Sequence, residues 1–167
     1  MLKKIICLAS LLPALVQAET VIPDALRVPD GYAKVLFLHA KGEQIYQCVK
    51  KQTDYEWQLQ APKALLFDAS GQLAGSHFVG YEWKYKDGSH SKGQLLKKVD
   101  VNPDSAIAWL LLETTESQGK GILSDARYIQ RVNTQGGLPP KLSCNNNQLG
   151  VEKPALYAAD YIFYATK

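Results

Sequence analysis

The sequence has few of the residues, and none of the short motifs, that mark the common catalytic centres. Its 167 residues include only three cysteines and three histidines. It contains no G-x-S-x-G motif of serine hydrolases, no G-x-x-x-x-G-K phosphate loop, no H-E-x-x-H zinc motif and no dinucleotide fingerprint. The sequence therefore assigns no reaction, and whether the protein is an enzyme stays open at this point.

The first eighteen residues differ from the rest of the chain. Lys3 and Lys4 precede an apolar run from Ile5 to Val16, and small residues end this segment at Ala18. This pattern predicts a cleaved secretory signal that is too short to span a bilayer as a stable helix. We expect export to the periplasm or the extracellular space, with no transmembrane segment after cleavage.

The chain also lacks a strong excess of either charge. Its formal net charge is +3, and it falls to +1 when Lys3 and Lys4 leave and all sixteen acidic residues stay. Such a small charge gives no electrostatic case for binding nucleic acid or an anionic membrane. The oligomeric state is not predicted by any feature of the sequence.

Cysteine is scarce in a way that predicts one covalent link. After signal cleavage only Cys48 and Cys144 remain, in a chain sent to an oxidising compartment, and a single disulfide is the natural interpretation. A bridge closing a loop of about a hundred residues stabilises the fold by about 4 to 5 kcal/mol in the chain-entropy model. Metal ligation is less favoured, because no histidine or further cysteine lies at ligand spacing from either residue.

The dominant period through residues 19–167 is two, with aromatic and β-branched residues recurring at alternate positions, as in Val35–His39, Tyr55–Gln60 and Tyr157–Tyr164. This period of two, with Gly, Pro, Asp and Asn between the runs, predicts short antiparallel strands. We expect an all-β, single-domain β-sandwich or β-barrel.

Two segments depart from the alternation. Residues 106–112 (AIAWLLL) are continuously apolar, which fits a strand buried on both faces or a short core helix, and we favour the strand. Residues 134–154 are rich in Gly, Pro and Asn and predict a long irregular connection that Cys144 pins.

Residues 77–90 (HFVGYEWKYKDGSH) predict an aromatic hairpin. A two-residue turn at Asp87-Gly88 would place six side chains on one face. They are Tyr81, Trp83, Tyr85, His90, Lys92 and Gln94. This face is either core, with Trp83 buried, or an exposed platform on which a sugar or an aromatic ligand stacks. The platform hypothesis requires an accessible Trp83.

Other polar residues carry weaker hypotheses. His77 is the better candidate for a hydrogen-bonding or catalytic histidine, although a lone histidine is more often structural. A metal site would need His39, His77 and His90 to converge with a carboxylate, and no spacing supports that. Arg131 and Asp160 each lie in a predicted strand and are candidates for a buried ion pair.

Several motifs, in order, resemble a known family. They include PDALRVPDG, GEQIYQCV, G-x-H-F-x-G-Y-E-W, AIAWLLL, YIQRVNTQGGLPP and the closing YAADYIFY. This set, from Pro23 to Tyr164, is similar to the secreted bacterial and fungal proteins classed as domain of unknown function 3455. The resemblance implies secretion and supplies no activity. It omits His90 and includes His77, Trp83, Arg131 and both cysteines.

The leading functional hypothesis is a secreted module that binds a small ligand or glycan on the hairpin face, through Trp83, Tyr85, His77, Tyr81, His90 and Lys92. A hydrolytic or metal-dependent enzyme centred on His77 is the rival, and a structural envelope protein without a small-molecule site is a third possibility. The sequence predicts no cofactor and no bound metal.

Overall fold

The computed structural model describes residues 20–167, so the predicted signal segment 1–18 lies outside the described residues. Eight antiparallel strands form one sheet that closes into a barrel in chain order, with β8 paired to β1. The strands are β1 Tyr32–Lys51, β2 Asp54–Phe67, β3 Leu73–His77, β4 Glu82–Tyr85, β5 His90–Val99, β6 Trp109–Gln118, β7 Tyr128–Gly136 and β8 Glu152–Thr166. The predicted all-β antiparallel class is confirmed, and the architecture is a barrel.

Three short 3-10 helices accompany the strands: Asp24–Leu26, Ile122–Ser124 and Asn146–Gln148. Within residues 20–167, no helix has the length and apolar character needed to cross a membrane.

One half of the barrel interior is filled by a dense apolar core. Trp83, Phe163, Leu112, Leu38 and Leu123 are buried there almost completely. The 3-10 helix Ile122–Ser124 covers this end and inserts Leu123 into the core. We call this region, defined by those five side chains, the closed end.

A second apolar layer lies outside the barrel. Leu26 of the N-terminal segment packs with Trp109, Leu111, Val132 and Ile162 on the outer surface of the sheet. Because Leu110 and Leu112 face the interior, strand β6 is buried on both faces where it begins. The strand predicted over residues 106–112 is confirmed for residues 109–112, whereas residues 106–108 precede β6.

The predicted disulfide joins Cys48 on β1 to Cys144 in the connection between β7 and β8. Backbone hydrogen bonds strengthen this attachment, since the Cys48 N–H donates to Val151 O and the Gly150 N–H donates to Cys48 O. The indole N–H of Trp57 also donates to Leu142 O at 3.0 Å. The long connection is therefore pinned to the β1–β2 hairpin, as the sequence predicts.

Candidate functional site

The β4–β5 hairpin does not have the predicted register. Trp83 pairs with Ser91, and Lys84 pairs with His90. The turn has three residues, because the Tyr85 N–H donates to Ser89 O at 3.0 Å. Gly88 adopts a φ of +86°, which the last position of such a turn favours. The predicted two-residue turn is therefore wrong by one residue.

This shift divides the predicted aromatic face into two sets. Trp83 shares the interior side of the hairpin with Ser89 and Ser91, which are buried. His90 and Lys92 lie on the outer side, where each approaches Glu82, at 3.6 and 3.8 Å. A one-residue change in register sends alternate side chains to the opposite face. The predicted grouping of His90 and Lys92 with the aromatic rings is therefore wrong.

Trp83 is 1% exposed and contacts the ring of Phe163 inside the barrel, with centroids 6.0 Å apart. It also stacks on His77, with centroids 4.8 Å apart and planes 3° from parallel. Tyr85 is half-buried and packs against the same core. The structure therefore places Trp83 in the core, and the hypothesis of an exposed stacking platform is wrong.

His77 is also buried, at 2% exposure. Its Nδ1 lies 2.7 Å from Glu82 O, and because a carbonyl only accepts, Nδ1 must carry the proton. Burial lowers the pKa of His77 to about 4, so the ring is neutral near pH 7. Within residues 20–167 no carboxylate, hydroxyl or thiol side chain is hydrogen-bonded to this histidine. The surroundings of His77 are those of a structural residue that borders a cavity.

Arg131 and Asp160 do not form the predicted ion pair. Arg131 pairs with Tyr161 across the β7–β8 ladder, whereas Asp160 pairs with Val132. Arg131 borders the interior cavity with His77. Asp160 lies on the outer surface, where its carboxylate contacts His39 Nδ1 at 2.6 Å and accepts from Asn133 Nδ2 at 2.8 Å. Arg131 lies opposite Tyr161 in the β7–β8 ladder, and Asp160 is the residue before Tyr161 on β8. Because successive side chains of a strand point to opposite faces, Arg131 and Asp160 lie on opposite sides of the sheet.

The end of the barrel opposite the closed end contains a cavity of about 480 Å³. Its polar lining consists of Gln44, His77, Tyr81, Lys98, Asp100 and Arg131, and its apolar lining includes Leu59, Leu95, Ile107, Leu110 and Leu138. We call this region the open end. The volume lies within the range of natural small-molecule sites, about 300 to 1,000 Å³.

Arg131 is held at the open end by one backbone carbonyl. Its Nε and Nη2 both donate to Ala108 O, at 3.1 and 2.9 Å. Within residues 20–167 no carboxylate lies within ion-pairing distance of the guanidinium. Asp100, which borders the same cavity, is exposed and approaches Lys98 at 3.5 Å. A partly buried cation without an anionic partner is costly and requires an explanation.

The charge of Arg131 acts on several buried groups around it. Burial raises the pKa of the Tyr46, Tyr157 and Tyr161 hydroxyls, and the Arg131 guanidinium partly offsets each rise. The same guanidinium adds a smaller effect to the lowered pKa of His77. Four titratable side chains from β1, β3 and β8 thus lie within the field of one cation.

Two of these hydroxyls lack partners. The hydroxyls of Tyr157 and Tyr161 are buried without a hydrogen bond, although buried polar groups are usually satisfied. Tyr46 differs, since it donates to Gly137 O at 2.7 Å. Gly137 has a φ of +79°, and a Cβ there would lie 2.9 Å from Tyr157 Cβ. A glycine is therefore required for the backbone to approach this close to the site.

Two larger depressions lie elsewhere on the molecule. One, of about 780 Å³, is bordered by Leu65, Phe78 and Leu156, and its surface is largely apolar. The other, of about 930 Å³, lies beside His39 and Asp160, whose polar atoms already contact one another. Within the described residues, no group of three or more His, Cys, Asp or Glu side chains could hold a metal ion. The open end differs from both because the cation that borders it without an acidic partner, Arg131, is partly buried, whereas Lys41 and Lys63 beside the apolar depression are exposed.

The sequence alone indicates part of this site. It named His77, Tyr81 and Arg131, but it assigned no role to Gln44, Tyr157 or Tyr161. A signal for the tyrosines was present in YAADYIFY, where the period of two places Tyr157 and Tyr161 on the same face as Ala159 and Phe163. Hydroxyls on an otherwise apolar face indicate either a buried polar network or a cavity. Gln44 gave no comparable signal.

Comparison with known proteins gives a family and no function. No curated protein and no solved structure matches the chain. The family model described as "Protein of unknown function (DUF3455)" matches residues 29–165, which include every strand that borders the open end. The chain therefore belongs to the DUF3455 family of proteins of unknown function.

Proposed function

We propose that the protein binds a small organic molecule in the cavity at the open end of the barrel. The observation that carries this proposal is Arg131, a partly buried cation that borders the cavity without an acidic partner among the described residues. A residue with uncompensated burial cost in a concave site is a candidate for binding function, because a ligand can supply the missing partner.

The architecture supports the same role. An eight-stranded barrel has an interior wide enough either to be filled by side chains or to hold one small ligand. Here side chains fill the closed end, and a cavity of about 480 Å³ remains at the open end. The lining combines a few polar groups with several leucines, which is typical of small-molecule sites.

The proposal moves the ligand away from the hairpin face considered in the sequence analysis. Trp83 cannot stack on an external sugar while it is packed between His77 and Phe163. Binding is also better supported than catalysis. His77 donates to a carbonyl, and among residues 20–167 it has no hydrogen-bonded carboxylate that would make it a stronger base.

We also propose that the protein is exported, as the composition of residues 1–18 and the disulfide suggest. N-terminal sequencing of protein purified from the producing cells tests this. A mature chain that begins near Glu19 is the expected result. An uncleaved Met1 in the oxidised protein would contradict it.

A small-molecule screen read out by thermal shift tests the binding proposal. Bound compounds raise the unfolding midpoint because they bind only the native state. Leu59→Trp and Leu95→Trp add bulk at two exposed positions that border the cavity. Leu73→Trp is the control, since Leu73 is also an exposed strand leucine and does not border the cavity.

We expect compounds that stabilise the wild-type protein to lose their effect in the two rim variants and to keep it in Leu73→Trp. Compounds that act equally on all of these proteins would place binding elsewhere and contradict the proposal. A screen in which no compound raises the wild-type midpoint would contradict it as well.

A further inference from the structure

We infer that the ligand of the open end is a small carboxylate with an apolar body, whose carboxylate pairs with Arg131. This inference rests on the proposed binding function and specifies its ligand class.

The free edge of the guanidinium supports a carboxylate. Arginine has five N–H groups in a planar fork. Nε and Nη2 of Arg131 each donate one N–H to Ala108 O, which leaves both N–H groups of Nη1 and one of Nη2 without a backbone or anionic acceptor in the described residues; the neutral Tyr161 hydroxyl is their neighbour. The unused edge between Nη1 and Nη2 matches the spacing of two carboxylate oxygens in a bidentate pair.

The electrostatic balance of the cavity also favours a negative ligand. Its charged lining consists of Arg131, Lys98 and Asp100, and the last two approach each other at 3.5 Å. His77, which borders the cavity from β3, is neutral near pH 7. The cavity thus carries one net positive charge, located on the group that has no counter-ion. A neutral or cationic ligand would leave that charge uncompensated.

Two buried hydroxyls near Arg131 do not themselves border the cavity. Those of Tyr157 and Tyr161 are buried and unpartnered, and Arg131 influences the pKa of both. A hydroxyl that remains protonated donates a hydrogen bond to an anion, and burial keeps both groups protonated. Because both hydroxyls stay neutral, neither supplies the negative charge that Arg131 lacks.

The apolar lining indicates what the rest of the ligand is. Leu59, Leu95, Ile107, Leu110 and Leu138 border the same cavity as Arg131. These side chains make no hydrogen bonds and offer only contact area. The body of the ligand should therefore be aliphatic or aromatic rather than densely hydroxylated like a sugar.

Matched acids and amides separate charge from shape. Benzoate, hexanoate and indole-acetate, each compared with its primary amide, are titrated into the oxidised protein by calorimetry at neutral pH and low salt. Arg131→Gln removes the charge and retains an amide that can donate to Ala108 O, whereas Arg131→Lys retains the charge. Arg127→Gln is the control, because Arg127 is exposed and borders a different groove.

We expect at least one acid to bind the wild-type protein about tenfold or more tightly than its amide, since hydrogen bonds to charged groups contribute about 1.5 to 3 kcal/mol. Arg131→Gln should abolish this preference, Arg131→Lys should keep part of it, and Arg127→Gln should leave it unchanged.

Each of the other outcomes has a distinct meaning. Equal binding of acid and amide, lost in the rim variants, would overturn the carboxylate inference and leave the binding proposal intact. An acid preference that survives in folded Arg131→Gln would also overturn the inference, because another group would then provide the charge. Absence of binding by every acid and amide would overturn both.

Discussion

The two ends of the barrel interior differ in how they are filled. At the closed end, Trp83, Phe163, Leu112 and Leu123 fill the space between the strands and are almost completely buried. At the open end, the same eight strands surround a cavity of about 480 Å³ that contains an unpaired guanidinium. One sheet therefore surrounds a packed core at one end and, at the other, a cavity with both polar and apolar lining.

This difference indicates that the closed end contributes most to folding stability, whereas the open end is the place to expect a functional role. Packing at the closed end gains free energy from apolar burial, which dominates folding. The open end gains little from packing, and it bears the cost of burying Arg131 and two unpartnered hydroxyls. Residues that destabilise a fold locally tend to be retained for function. Substitutions at the two ends should consequently have different effects.

The largest expected contrast is between two aromatic residues of the same segment. Trp83→Ala removes a fully buried indole at the closed end, and such substitutions cost about 3 to 5 kcal/mol. Tyr81→Ala removes a ring that is 36% exposed at the open end, and we expect a change within about 0.5 kcal/mol. Denaturant unfolding of the oxidised proteins measures both. Similar losses in the two variants would show that the open end is also a packed core.

Trp83 also shows what the sequence could and could not predict. Alternation of apolar and polar residues predicted strands, and the two cysteines predicted their bridge, because both signals are local or unique in this chain. Family resemblance likewise rested on the order of motifs. The register of the hairpin was not predictable to one residue. The two-residue and three-residue turns both suit Asp87-Gly88, and the contacts that accompany the longer one, such as those of Asp87 with Ser89, are visible only in the folded structure.

The open end could be predicted only in fragments for a related reason. Arg131 and Asp160 were recognised as charges in strands, but their faces depend on the pairing of β7 with β8. Bulges interrupt this ladder between Val132 and Gln135, so a count along the sequence does not give the register. The cavity itself is lined by residues of six strands, β1, β2, β3, β5, β6 and β7, and of the connections between them. No single segment contains its signal.

His77 joins the two ends, since it stacks on Trp83 and borders the cavity. Its pKa in the folded protein is about 4, below the ordinary 6.5, because burial disfavours the charged ring. As the pH falls from 6.5 to 4, His77 becomes protonated in the unfolded chain but stays neutral in the folded protein. The free energy of unfolding is therefore unaffected by His77 above pH 6.5. Between pH 6.5 and pH 4 it falls by about 1.4 kcal/mol per pH unit, on the order of 3 kcal/mol in total.

Unfolding free energies measured across this pH range test the prediction. His77→Phe should remove most of this decline, whatever its stability at neutral pH. The carboxyl of Asp68, whose pKa is held below the ordinary value by hydrogen bonds from Ser70 and Lys86, adds its own decline toward the acid end of this range, and that decline is common to the wild-type protein and His77→Phe. An unchanged pH dependence in His77→Phe would mean that other groups cause the decline.

The smallest expected contrast concerns two exposed carboxylates, one at each end. Asp87 accepts hydrogen bonds from the Ser89 N–H and the Ile122 N–H, both at 2.8 Å, and so attaches the hairpin turn to the helix that covers the closed end.

Asp100 at the open end has only an exposed contact with Lys98 at 3.5 Å. We expect Asp87→Ala to cost about 1 kcal/mol, since two backbone donors lose their acceptor, and Asp100→Ala to cost less than about 0.5 kcal/mol. Asp87→Asn should recover part of the loss, because its amide oxygen can still accept one of these bonds. Chemical unfolding at neutral pH distinguishes the three variants. A larger loss in Asp100→Ala than in Asp87→Ala would reverse the contrast and place a structural role at the rim of the cavity.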